Sequence, residues 1–167
     1  MQWNHNELLA LQDYELIMEA RDTVIDEIRN SKSEEDLEKI PEIRFYLITA
    51  SMFDLEMQNG GLCQFLANQG KFHGAMLENA LLAFGAAEHS RIFTEFCAKN
   101  AIDLSKLEEL LPETTDPYQV MENYRNLMGK YPFADFDEAY FALDGEYPLE
   151  RMLGAYIRKH MTLFFGN

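Results

Sequence analysis

From Pro41 to Gln58 apolar residues recur every three or four positions, at Ile43, Leu47, Ala50, Phe53 and Met57, which predicts an amphipathic helix with one buried face. Asn59-Gly60-Gly61 interrupts that spacing, and a second apolar run, Leu62, Phe65 and Leu66, restarts at once. Asn and Gly enter the left-handed backbone region at low cost, so the triplet predicts a helix end and a sharp turn. Gln64 and Asn68 stand four positions apart, on one face of the second run. An unpaired buried amide costs about 1–3 kcal/mol, so both need partners. The expectation is that they tie backbone groups of the turn and of the loop after Gly70. The alternative is a polar pocket for a ligand.

The same spacing predicts helices along the rest of the chain. A long one from about Asn6 to Asn30 carries Leu11, Tyr14, Ile17, Met18, Val24, Ile25 and Ile28 on its apolar face. Ser33 before Glu34-Glu35-Asp36 reads as an N-cap with acids in the first turn, and Pro41 suits the first position of the next helix. Residues 69–74 read as a loop. Helices follow at Ala75–Phe84 closed by Gly85, Glu88–Lys99 with Ile92, Phe93, Phe96 and Cys97 inward, from Asp103 or Ser105 to Pro112, and Tyr118–Met128 closed by Gly129. Residues 131–137 read as irregular, a short helix through Tyr140 reaches the turn signal Asp144-Gly145, and Pro148 opens a last helix to about Phe164. No stretch alternates as a strand does. The predicted fold is all-α: a single domain over 1–167 with eight or nine helices, acidic N-terminal helices in 1–40 and the core in 41–167.

The interrupted helix also carries a resemblance. Glu56 to Asn68 reads E-x-x-N-G-G-x-x-Q-x-x-x-N, with Phe141-Ala142-Leu143-Asp144, Tyr147, Leu153, Tyr156 and Ile157 further on. In these residues the chain resembles a bacterial family of small acidic DNA mimic proteins, over about Pro41 to Phe165. Leu62 and Leu66 stand where that family commonly has aromatic residues. The resemblance implies the same all-α fold, and a protein that occupies the DNA-binding face of a regulator or nucleoid protein. It implies no carboxylate positions, since those belong to no motif.

Charge bears on that implication. The chain holds 29 acids and 14 bases, a net charge of −15. Residues 1–59 and 103–150 each carry −9, 60–102 is neutral, and 151–167 adds three bases. A field of this sign repels nucleic acid and attracts basic protein surfaces. Glu15, Glu19, Asp22 and Asp26 form a stripe with steps of about 4.5–6 Å along the helix. Phosphates along a DNA strand rise by about 3.4 Å each, so the stripe imitates a phosphate row roughly. With Glu34, Glu35, Asp36 and Glu38, and a second group at Asp135, Asp137, Glu138 and Glu146, these are the candidate contacts for a basic DNA-binding partner protein. The two groups share one face of a monomer or are aligned by a homodimer. Acidity for solubility alone is the plain alternative.

Chemistry is sparse. Cys63 and Cys97 lie in apolar helical patterns and read as reduced, buried thiols. His5, His73, His89 and His160 show no ligand spacing, and no nucleophile elbow, phosphate loop or H-E-x-x-H is present. No metal, cofactor or catalytic residue is therefore expected. Glu56 and Asp144, each bordering a motif with apolar neighbours, are the candidates for a perturbed acid, with capping or acceptance of backbone hydrogen bonds as their plainer role. Structural roles are expected for Glu56, Asn59, Gly60, Gly61, Gln64, Asn68 and Asp144. Residues 1–7 lack the pattern of an export signal and no run approaches eighteen apolar residues, so a cytoplasmic protein is expected. Two readings stand beside the DNA mimic: an immunity-type protein that neutralises another basic partner, and an enzyme using the Glu56, Gln64 and Asn68 region.

Overall fold

A computed structural model describes residues 5–166, all helix and loop with no strand among them. The first predicted helix is two: α1 (His5–Ala10) and α2 (Asp13–Asn30). Arg158 divides them, because its guanidinium binds both the Leu11 carbonyl and the Asp13 carboxylate. The Glu15 carboxylate then accepts from the Gln12 amide at the start of α2. Leu16, Ile17, Ala20 and Val24 are the buried residues of α2, whereas Tyr14 is 52% exposed and off the core face. α3 (Glu34–Glu38) is capped by Ser33, whose side chain accepts from the Asp36 amide, as the sequence predicts.

α4 (Glu42–Asn68) is the axis of the molecule, with Pro41 one position earlier than predicted, as its N-cap. α2 packs against it, and so do most of the later helices. The predicted loop 69–74 is instead α5 (Gly70–His73) running into a 3-10 turn at Gly74–Met76. Gly70 makes this turn fit, since a side chain there would meet Leu107. α6 (Leu77–Ala83) and α7 (Ala87–Lys99) follow, separated by Gly85 at φ +80°, where L-residues with side chains are strained. Asp103 caps a 3-10 turn, Leu104–Lys106, that leads into α8 (Leu107–Leu110).

α9 (Pro117–Lys130) runs through Gly129 rather than ending at it. α10 (Phe133–Glu146) takes in the stretch read as irregular and passes Gly145. Its buried Phe133, Phe136 and Tyr140 lie at i, i+3 and i+7; Phe133 and Phe136 pack on Phe93 and Phe96 of α7, and Tyr140 on His89 of α7 and Phe53 of α4. Burying three aromatic rings outweighs the roughly 1 kcal/mol that an interior glycine costs. The last predicted helix breaks at His160 into α11 (Leu149–Lys159) and α12 (Met161–Phe165). These divisions and short turns raise the number of helical segments above the eight or nine expected.

Phe53 sits at the centre of the core. Its ring meets Phe65, Phe93 and Tyr140 edge-on, with centroids 5.1, 6.2 and 5.5 Å away. Both cysteines are free and buried, and burial pushes the Cys63 thiol up to about 11 and the Cys97 thiol up to about 12. No described helix is long and apolar enough to cross a membrane.

Candidate functional site

The motif turn divides α4. Gly60 (φ −169°, ψ 17°) and Gly61 (φ 77°, ψ −171°) leave helical geometry, and α4 resumes at Leu62. Only Gly61 occupies the region that favours glycine. The restart exposes a backbone donor with no helical partner, and the Leu62 amide donates to Asp137 Oδ1 of α10 at 2.9 Å. A Cβ on Gly61 would collide with that same carboxylate. Asp137 is half-buried, and burial pushes its carboxyl above the usual range. Its role in the fold is to hold the turn, where the sequence had grouped it with the partner-facing acids.

Glu56 closes the kink from the other side. The residue is 7% exposed, and its carboxylate accepts from Gln64 Nε2 at 2.7 Å, from Asn68 Nδ2, on an exposed residue, at 3.2 Å and from Gln69 Nε2 at 3.3 Å. The two motif amides are thus satisfied by a carboxylate on the preceding half-helix, not by backbone of the turn. This corrects the expectation in detail, and Glu56 accepts side-chain amides instead of capping a turn. Gln69 belongs to the same cluster and was missed, because it follows the last apolar position of the run. Asn59 occupies the final position before the glycines.

Asp144 does take a backbone donor, the Leu149 amide at 2.7 Å, and so supports the first turn of α11. Gln58 Nε2 reaches its other oxygen at 3.4 Å. The buried His89 lies beside it, Nε2 3.7 Å from Asp144 Oδ1, with neither ring nitrogen hydrogen-bonded among the described residues. Burial lowers the His89 pKa, and Asp144 works against that.

The acid with the largest resolved upward shift is one the sequence did not single out. Asp54 is pushed up to about 6, first by burial and then by the charges of Asp144 and Glu150, while hydrogen bonds from Tyr140 and Gln58 pull it down. The Tyr140 hydroxyl, fully buried, donates to Asp54 Oδ1 at 2.8 Å. A tyrosine in an apolar row at i+3 and i+7 signals a hydroxyl that needs a partner, but nothing in the pattern selects Asp54 as that partner.

This has a consequence for stability. A carboxyl whose pKa rises from 3.8 to about 6 on folding favours the protonated form, so stability falls as pH rises between those values. The gap corresponds to a loss of about 2–3 kcal/mol. Asp54→Asn keeps an acceptor for Tyr140 and should remove that loss. Urea unfolding at pH 4 and pH 7.5 checks it: the variant should match the parent at the lower pH and exceed it by about 2 kcal/mol at the higher. Equal stability of the two proteins at both values would contradict the assignment.

The acids predicted to face a partner lie on α2, α3 and α10. Glu15, Asp22 and Asp26 are exposed and Glu19 is half-buried. Asp22 pairs with Arg21 at 3.3 Å and Asp26 with Arg29 at 3.8 Å. Glu34, Glu35 and Glu38 are exposed; Glu35 and Asp36 share Lys39 at 3.2 and 3.5 Å. Asp135, Glu138 and Glu146 are exposed on α10. α2 and α10 each pack on α4, so the central helix carries both acidic groups. Exposed pairs of this kind are worth about 0–1 kcal/mol each and leave the carboxylates open to exchange. No cluster with the make-up of a metal site occurs among the described residues.

Geometry and charge together define an acidic, all-helical protein whose kinked central helix is pinned by carboxylates. A family model described as DMP19-like protein matches residues 38–160, and the chain belongs to that family. Searches of curated proteins and of solved structures returned no match to the chain.

Proposed function

We propose that this protein is a DNA mimic: it presents carboxylates to the basic DNA-binding surface of a partner protein and blocks or modulates that surface. The observation that carries the reading is the exposed acid of α2 and α3, extended by Asp135, Glu138 and Glu146 of α10, in a member of the DMP19-like family. The Glu56 cluster supports a structural role over a catalytic one, since its carboxylate is buried and occupied by three side-chain amides. Affinity then comes from many weak pairs together with apolar contact, and the charge acts mostly on the association rate.

Capture of partners from host lysate at low salt, followed by elution with duplex DNA, tests the proposal. Release of the partner by duplex DNA is the expected result, with binding that weakens steeply as salt rises. A basic partner that salt releases and duplex DNA does not would favour the neutralising reading instead.

A further inference from the structure

A cavity of about 620 Å³ lies between the second half of α4, residues 111–114 and α9. That volume falls within the range of about 300–1,000 Å³ typical of small-molecule sites. Its apolar wall on α9 is Val120, Met121 and Met128, which are 50, 61 and 50% exposed and so left uncovered by the fold. Gln64 and Asn68 line the opposite side, with their amide nitrogens committed to Glu56. Arg125 lines the cavity too, is exposed, and makes no ion pair among the described residues, although acids outnumber bases 29 to 14. Glu113, the one carboxylate of the lining, has Lys71 Nζ at 4.0 Å.

We infer that this cleft binds a small amphipathic anion, an apolar chain or ring against Val120, Met121 and Met128 with its carboxylate on the Arg125 guanidinium. The guanidinium fork matches a carboxylate in two parallel hydrogen bonds. Methionine side chains adapt to the shape of an apolar body at little cost. The net charge of −15 disfavours anions over the surface at large, so a preference for carboxylate over ammonium at this cleft reports Arg125 itself.

Methyl NMR of Met121 and Met128 in the full chain, titrated in turn with octanoate, octanol and octylammonium, tests it. Octanoate should give saturable shifts at both methyls, with an affinity at least about tenfold above those of the other two probes. Arg125→Gln, a change at an exposed position, should reduce octanoate to the level of octanol without altering the melting temperature. Three results would overturn the inference: no saturable shift with octanoate, equal affinity for octylammonium, or undiminished octanoate binding by Arg125→Gln.

Discussion

Gly61→Val is expected to destabilise the protein by about 2–6 kcal/mol. Valine at φ 77° carries a strain of about 1–3 kcal/mol. Its Cβ also displaces the Asp137 carboxylate, which strands the Leu62 amide at a further cost of about 1–3 kcal/mol. Gly60→Val offers the contrast. Its φ of −169° is extended backbone, and its Cβ meets the Gln64 side chain, which would have to leave Glu56, so its cost should be about 1–3 kcal/mol. Urea unfolding of both variants reads the order directly. Parent-like stability of Gly61→Val would show that the turn is not held in this way. Asp137→Ala, added to Gly61→Val, should cost much less than it does alone, because the hydrogen bond it removes is already broken.

Glu56→Ala should cost about 2–4 kcal/mol, by a different route. It removes one acceptor and leaves the half-buried side-chain amides of Gln64 and Gln69 without a partner beside the core, while the exposed Asn68 amide turns to water. Gln64→Ala or Asn68→Ala removes a donor and leaves Glu56 two others, so Gln64→Ala should cost about 1–3 kcal/mol and Asn68→Ala, at an exposed position, about 1 kcal/mol or less. Combined with Glu56→Ala, either should add little, since contacting residues are strongly coupled. Binding of the captured partner, measured per folded molecule, should be unchanged in all three single variants. Loss of binding at an unchanged melting temperature would move the motif from a structural to a ligand-binding role.

These two predictions rest on the part of the chain that was most legible. The break at Asn59-Gly60-Gly61 follows from residue types alone, and so does the need of Gln64 for a partner; Asn68, expected to share that need, is exposed and bonds Glu56 from the surface. What the sequence left open was which groups answer that need. Glu56 lies eight residues before Gln64 and Asp137 lies 75 residues after Leu62. Pairings across such distances are made by packing, which local periodicity does not encode. The same reason explains α10. Gly145 and the mixed aromatics and acids of 131–137 argue locally against a long helix, while burial of Phe133, Phe136 and Tyr140 on α7 decides for one. The break before α2 was hidden for a similar reason, since the Arg158 that divides it lies 147 residues from Leu11. Asp54 was illegible because its distinction is its surroundings. On the sequence it is one more acid of the helix that ends at the motif, and in the fold it faces Tyr140 with Asp144 and Glu150 close by.

In a DNA mimic the acid of α2 is there to be bound. Replacing Glu15, Glu19, Asp22 and Asp26 together by Lys changes the sign of the stripe on a largely exposed helix face. The helical circular dichroism spectrum should be retained, and affinity for the partner captured from lysate should fall by at least about tenfold, with the loss concentrated in the association rate. A variant that keeps its helical spectrum and binds that partner as tightly as the parent would contradict the claim and leave the acidity of α2 with a role in solubility alone.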